Sequence, residues 1–183
     1  MSTATKQTTL PTGIWKSDPV HSSVGFAVKH AVVATFRGSF ADYDVTLANE
    51  DGEPRLYGAV RVASVDVRDE KLNGHLLSPD FFDAERTPEI TFTSSEVRAE
   101  DGELVVPGKL TIKGTTRDVE ARGTIVGPSE YLEGSERIGI DLETTVDRTE
   151  FGLNWNAPLP RGGFAVENEV TLTVHLELVK EEA

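Results

Sequence analysis

Apolar residues recur at every second position along most of the chain, a pattern typical of strands with one buried face. In the first run, Val20, Val24, Phe26 and Val28 alternate with small or polar residues, and His30 follows on the same parity. Eight such runs are present. They begin at Val20, Phe36, Leu56, Ile90, Leu104, Val119, Ile138 and Val170. The pattern therefore predicts eight strands.

Two of these runs change parity partway along. The apolar positions of 36–40 are even, whereas those of 43–47 are odd. Because a shift of one residue moves every following side chain to the other face, we expect a bulge or break near Asp42. The same argument predicts an irregularity at Ala63 and Ser64.

Residues 69–77, DEKLNGHLL, have helical rather than strand spacing. Leu72 and Leu76 lie four residues apart, and Asp69 is a favourable N-cap residue. This stretch therefore predicts one short helix.

Two long connections carry aromatic side chains. The first follows the predicted helix and contains Phe81 and Phe82, and the second, residues 147–167, contains Trp155 and Phe164. Long aromatic loops in compact domains are often functional. We expect each to act either as a wall over a ligand or as a hydrophobic plug for a barrel end.

Short turns between the runs, such as Asp101-Gly102 and 113–116, indicate an antiparallel meander. A sheet of this size must bury its apolar face, and closure removes its exposed edges. We therefore predict an all-β fold, an extended eight-stranded antiparallel barrel with one short helix and long loops near the barrel ends.

The chain has 183 residues, which suits one domain. Residues 1–12 are polar and are predicted to form a disordered tail, with a single domain over 13–183. No apolar run approaches the about 20 residues of a membrane span, and no signal peptide is recognised, so we expect a cytoplasmic protein without stable membrane insertion.

Charge and cysteine content exclude several classes of function. The formal charge is −13, which opposes non-specific binding to nucleic acid or to anionic membranes. The absence of cysteine excludes disulfides, a thiol nucleophile and cysteine-ligated zinc. The four histidines fall in different elements, and neither a G-x-S-x-G elbow nor a glycine-rich phosphate loop occurs, so no metal, cofactor or catalytic set is predicted.

Four glycines share the inward parity: Gly38, Gly58, Gly108 and Gly123. They are explained either by sharp bends in the barrel wall or by space left for a ligand, since an eight-stranded barrel can pack solid or hold one small molecule. Strands of about ten residues would span about 33 Å, a lumen suited to an elongated apolar molecule.

Four longer motifs carry a resemblance to a known family. They are Trp15–Ser22 (WKSDPVHS), His75–Asp83 (HLLSPDFFD), Leu110–Thr116 (LTIKGTT) and Arg148–Leu153 (RTEFGL). The chain resembles the YceI-like family of polyisoprenoid-binding proteins, which have a lipocalin-like barrel. The resemblance runs from about residue 14 to residue 179.

This resemblance implies a lumen that takes a long isoprenoid or similar lipid tail, with no assignable enzymatic activity. The residues predicted to line the lumen could equally be ordinary core. They are Phe26, Val28, Phe36, Phe40, Leu76, Phe81, Phe82, Phe92, Leu110, Ile112, Trp155 and Phe164.

A phosphate or other polar head would need cationic contacts, for which the guanidinium fork of arginine is well suited. His30, Lys113 and Arg148 are the candidates, beside Lys29 and two further arginines. For each, the alternative is a surface charge, an ion pair or, for His30, a buried hydrogen-bonded ring.

The leading hypothesis is non-enzymatic binding of such a lipid for transport, storage or sequestration. One alternative is an enzyme acting on a lipid held in the lumen, with His30 as the polar group. A second is a dimeric interaction module with a filled core, in which the small residues Gly25 and Ala27 allow a homodimer contact.

Overall fold

Twelve strands form one antiparallel sheet that closes on itself in the computed structural model, which describes residues 9–182. The strands are β1 (Gly13–Ser17), β2 (Ser23–His30), β3 (Ala34–Phe40), β4 (Tyr43–Asn49), β5 (Arg55–Arg61), β6 (Val65–Asp66), β7 (Glu89–Ser94), β8 (Arg98–Glu100), β9 (Glu103–Ile112), β10 (Thr115–Glu130), β11 (Glu136–Asp147) and β12 (Val166–Lys180). The helices are α1 (Glu70–Leu77) and the short 3₁₀ helices η1 (Val62–Ser64), η2 (Leu132–Gly134) and η3 (Arg148–Phe151).

The sheet closes as an eight-stranded barrel, which confirms the predicted fold. Its hydrogen-bonded order is β1-β4-β5-β7-β9-β10-β11-β12, and β12 also pairs with β1. The strands β2, β3 and β6 continue β1, β4 and β5 beyond interruptions, because β2 pairs with β12 and β3, and β3 pairs with β6. Apart from the closing pair β12 and β1, neighbours in the barrel are therefore neighbours in the chain.

The interruptions fall where the parity of the apolar positions changes. β3 ends at Phe40 and β4 begins at Tyr43, and η1 separates β5 from β6. Phe40 and Val45, which have opposite parity, both belong to the interior. These two breaks turn the strand so that its apolar face stays inside, as predicted. The break between β1 and β2 was not predicted, because Val20, which begins the first predicted run, lies in a turn and is 81% exposed.

The predicted short helix is present as α1. The Asp69 side chain caps it by accepting a hydrogen bond from the backbone N–H of Leu72 at 2.8 Å. A helix of eight residues is not stable alone, so it depends on packing, here through buried Leu76. None of the helices within 9–182 has the length and apolar character needed to cross a bilayer.

The interior is solid at one end and hollow at the other. A dense cluster around Trp15, Leu47 and Leu178, each at most 1% exposed, fills the end where β1 meets β12. A second cluster, which includes Phe40 and Leu76, surrounds a cavity at the opposite end. The cavity therefore does not run along the whole barrel as expected, because the large apolar side chains around Trp15 occupy the other end.

Two of the inward glycines make room for aromatic rings. A Cβ at Gly38 would lie 2.4 Å from the ring of Phe26, and a Cβ at Gly108 would lie 2.6 Å from the ring of Phe92. At the other two inward glycines, an added Cβ would lie 2.5 Å or less from a backbone carbonyl oxygen of the neighbouring strand. The glycines thus permit close approach within the wall.

The amino-terminal segment differs from the expected tail at residues 10–12. Leu10 is only 8% exposed and belongs to the solid cluster. Asn49 donates to the carbonyl oxygens of Leu10 and Pro11, each at 3.2 Å, and the Trp15 indole donates to that of Thr12 at 3.1 Å. Residues 1–8 of the predicted tail lie outside the described residues.

A polar network joins the break between β1 and β2 to the adjacent strands β12 and β11. Arg137 on β11 donates to the carboxylates of Asp18, at 2.9 Å, and of Glu177 on β12. The hydrogen bond with the His21 ring, assisted by the Val20 N–H and by Arg137, lowers the pKa of Asp18 to about 2.

We predict that Asp18→Asn lowers the free energy of unfolding at neutral pH and that its effect becomes much smaller in acid. A lowered carboxyl pKa stabilises the fold above the unfolded-state pKa of about 3.9, and this contribution is lost as the pH falls toward the folded pKa. Urea unfolding from about pH 7 to about pH 2.5 measures the difference. Asp51→Asn, in an exposed turn, is the control. An effect of Asp18→Asn that is equally large at both ends of this pH range would contradict the prediction.

Candidate functional site

The hollow half of the barrel contains a cavity of about 650 Å³. Its wall is almost entirely apolar and comes from barrel strands, α1, η3 and the segment that follows η3. This volume lies within the range of about 300–1,000 Å³ that is typical of small-molecule sites.

Most of the residues predicted to line a lumen do line this cavity. They are Phe26, Val28, Phe36, Phe40, Leu76, Phe81, Phe82, Phe92, Leu110, Ile112 and Trp155. Phe164 does not belong to the lining. It is 58% exposed and pairs with Pro158 in a small hairpin, which directs it to the outer surface.

One side of the cavity is a continuous row of aromatic rings. The ring centroid of Phe26 lies 6.4 Å from that of Phe36 and 5.8 Å from that of Phe40. The ring centroids of Phe40 and Phe82 are 5.9 Å apart. These separations suit tilted and edge-to-face packing, which fixes ring orientation. The wall is therefore a defined surface.

The two aromatic loops meet at the same end of the barrel and close it as a cap. The Trp155 ring lies 4.8 Å from the His75 ring of α1 and 5.5 Å from that of Phe81. His75, which also pairs with Asp80 at 3.1 Å, was not among the predicted site residues. Its position beside Leu76 on α1 was the signal in the sequence.

The Arg148 guanidinium lines the cavity but turns its hydrogen bonds toward the cap. It is 5% exposed, and burial lowers its pKa. All five of its N–H donors have acceptors in the following segment. These are the carbonyl oxygens of Leu153, Trp155, Val166 and Glu167, at 2.6–3.3 Å, and the side-chain oxygen of Asn168 at 3.5 Å. The expected phosphate contact therefore finds no unused donor on Arg148.

Lys113 also has a structural position rather than one in the cavity wall. Its ammonium donates to the carbonyl oxygens of Pro79 at 2.7 Å and Gly152 at 3.4 Å. These two residues belong to the two loops of the cap. Lys113, at the tip of the β9–β10 hairpin, thus joins them.

His30 is the head-group candidate that reaches the cavity from its edge. It ends β2, is exposed, and belongs to the lining. Five lining residues carry ionisable side chains: His30, Tyr57, His75, Glu143 and Arg148. Within residues 9–182, no hydrogen bond joins the His30 ring to the other four.

Outside the cavity, one group in the described part of the chain has the spacing of metal ligands. Side-chain atoms of Asp18, His21 and Glu177 lie within 4.8 Å of one another. Arg137 already donates to both carboxylates, so their charge is paired. We therefore assign this group to the polar network of the fold.

Comparisons with known proteins agree with this geometry. The model of the YceI-like domain matches residues 15–178. A UPF0312 protein of Staphylococcus aureus strain USA300 is 32% identical over 167 residues, which cover 87% of this chain and 94% of that protein. A UPF0312 protein of Staphylococcus epidermidis has the same identity and coverage.

Solved structures share the barrel. Burkholderia cenocepacia BcnA is similar with a TM-score of 0.73 at 25% identity, covering 90% of this chain and 99% of that one. A polyisoprenoid-binding domain from Saccharophagus degradans gives a TM-score of 0.69 at 14% identity, covering 93% and 100%. At that identity the second likeness shows the fold alone.

We predict that Arg148→Lys destabilises the protein by about 3 kcal/mol, since buried carbonyl oxygens lose their donors. Urea unfolding measures this loss, and hydrogen exchange should show faster exchange over 153–168. Arg117→Lys is the matched control, because Arg117 is exposed and donates only to the adjacent Thr116 carbonyl. Unchanged stability with weaker binding of a phosphorylated lipid would instead make Arg148 a head-group contact.

Proposed function

The chain belongs to the YceI-like domain family, and we propose that it binds one long apolar ligand, a polyisoprenoid or a lipid with a similar tail, in the hollow half of the barrel. The single observation that carries the proposal is the apolar cavity of about 650 Å³. The polyisoprenoid-binding domain of Saccharophagus degradans supports it as a protein of the same fold.

The volume and chemistry of the cavity set the class of ligand. At about 30 Å³ for each carbon-sized group, the cavity accommodates about twenty of them. Their transfer from water would contribute about 16 kcal/mol at about 0.8 kcal/mol for each methylene. Association and ordering oppose this by about 4–15 kcal/mol, so a tail of this length suffices for binding.

A polar head contributes less than the tail. Arg148 has its donors engaged in the cap and Lys113 does not line the cavity, which leaves His30 at the cavity edge as the head contact. An ion pair at an exposed position is worth about 0–1 kcal/mol. We therefore expect affinity to follow tail length and to vary little between heads.

Binding without catalysis agrees best with the site. An enzyme would need a second reacting group beside His30, and the other ionisable lining residues with a described partner, His75 and Arg148, direct their hydrogen bonds to Asp80 and to the cap. The filled core required by an interaction module is at variance with the cavity. Transport, storage or sequestration in the cytoplasm is the role that we propose.

We predict that Val170→Trp reduces lipid binding about tenfold or more. Val170 lines the cavity on β12, and an indole there would displace at least two carbons of the tail, each worth about 0.8 kcal/mol. Titration with polyprenyl phosphates of graded length measures the affinity. The variant should also favour shorter tails.

The matched control is Val126→Trp, since Val126 lies on β10 and is 71% exposed. Mass spectrometry of organic extracts, compared with a mock purification, should find a stoichiometric lipid in the wild type and in this control. Equal retention by a folded Val170→Trp protein would place the lipid outside the cavity and refute the proposed function.

A further inference from the structure

Three exposed apolar side chains lie together at the hollow end. Val32 and Val33, in the turn between β2 and β3, are 61% and 84% exposed, and Phe164 is 58% exposed. The turn is held to the neighbouring hairpin by the hydrogen bond from the Ala31 N–H to the Ala165 carbonyl at 2.8 Å. The Val32 side chain lies against Gly163, beside Phe164. We call Val32, Val33 and Phe164 the apolar rim.

The apolar rim borders the place where the cavity reaches the surface. Of the lining residues, His30, Ala34 and Thr35 are exposed and flank the turn. Ala165 and Val166 line the cavity from the other side of the same opening. The remaining exposed lining residues are in wall strands. A surface that contacts the rim therefore also faces the mouth of the cavity.

The conformation of the turn does not require apolar residues. Ala31 and Val32 have φ of 50° and 67°. Two other tight turns, at Asp101-Gly102 and Lys113-Gly114, also have positive φ at both residues. Those two follow the usual preference for a polar residue and glycine. A β-branched residue at positive φ is unfavourable, and its exposure to water adds to the cost. Valine at this tip thus opposes both stability and solubility.

The two segments that carry the rim have a charge opposite to that of the chain as a whole. The protein has 31 acidic residues, yet none lies in 19–41 or in 151–166, the two segments that form the opening. Lys29 and Arg37 lie on the outer face of β2 and β3, below the tip, and Arg161 lies in the neighbouring hairpin. Acidic residues begin again at Glu167. Within 19–41 and 151–166 the charged side chains are therefore all basic, while Glu167 and Glu169 follow on β12, which pairs with β2.

We propose that the apolar rim docks on a lipid bilayer that contains anionic lipids, with the mouth of the cavity facing the membrane. Lys29 lies two residues before the turn begins at Ala31, or about 7 Å along the strand behind the apolar tip. That distance suits apolar side chains inserted about 5–10 Å deep and basic side chains at the phosphates. The overall charge of −13 repels other orientations of the molecule. The docking goes beyond the proposed function and relies on it only for what passes through the mouth.

A second exposed apolar group serves as the comparison. Val126, Tyr131 and Leu132, at the β10–β11 hairpin, are 71%, 49% and 70% exposed. This hairpin also carries Glu130 and Glu133, which an anionic surface repels. It tests whether exposed apolar residues alone are enough for docking.

The test is co-sedimentation of the full chain with phosphatidylcholine vesicles, with and without phosphatidylglycerol. The wild type should bind the anionic vesicles and dissociate as salt is raised. The double variant Val32→Gly, Val33→Ser should bind the vesicles at least about tenfold more weakly, since two apolar anchors are lost. Because glycine favours the positive φ at residue 32, this variant should be at least as stable as the wild type. Leu132→Ser should bind as the wild type does.

Charge reversal tests the second part of the surface. Lys29→Glu with Arg37→Glu should abolish the preference for anionic vesicles while leaving the fold intact. Equal vesicle binding by the rim variant and the wild type would overturn the proposal. So would dimerisation that the rim substitutions abolish in a protein that binds no vesicles, since the rim would then contact a second copy.

Uptake of a polyprenyl phosphate from the vesicles separates this inference from the proposed function. Vesicle binding that depends on the rim, without uptake, would support docking and contradict the function proposed for the cavity. Uptake by a wild type that does not bind vesicles would support the function proposed for the cavity and contradict docking.

Discussion

One buried guanidinium, that of Arg148, holds together the end of the barrel in which the cavity lies. Its acceptors are spread over 153–168, so a single side chain fixes a long segment that has little regular structure of its own. That segment carries Trp155, whose ring contacts His75 and Phe81 and so reaches α1. The cap exists because a charge removed from water must keep every one of its hydrogen bonds.

A cavity persists only where the wall cannot collapse into it, since protein interiors are otherwise densely packed. Closure of the sheet fixes the distance across the barrel. Within the wall, the rings of Phe26 and Phe92 rest on Gly38 and Gly108, which hold them against the sheet instead of across the lumen. At the other end the same barrel is filled by large side chains around Trp15 and provides the stability that the hollow half lacks.

Most of the strands, the breaks near Asp42 and Ser64, α1 and the closed barrel could be predicted from the sequence, because side-chain parity directly reports which face is buried. The strands β1 and β8 could not, because five and three residues are too short to show a clear alternation, and Val20, which begins the first predicted run, is 81% exposed in a turn. Parity does not report whether the space behind that face is filled, so the division into two halves could not be predicted. The partners of Arg148 are backbone carbonyls in a segment without periodicity, and no residue type marks them. Trp155 and Phe164 gave the same aromatic signal, although only Trp155 lines the cavity.

The contacts that hold the cap and the β2–β3 turn decide where a ligand can enter. Lifting the cap would separate Arg148 from its acceptors and leave a buried charge uncompensated, which costs about 3–5 kcal/mol. Parting the β2–β3 turn from the neighbouring hairpin breaks the Ala31–Ala165 hydrogen bond and the pairing of His30 with Val166, at about 1 kcal/mol for each hydrogen bond. The opening beside the turn is therefore the less costly route. The apolar tip and the basic side chains of β2 and β3 lie at this opening, so the route into the cavity and the surface proposed to meet the membrane coincide.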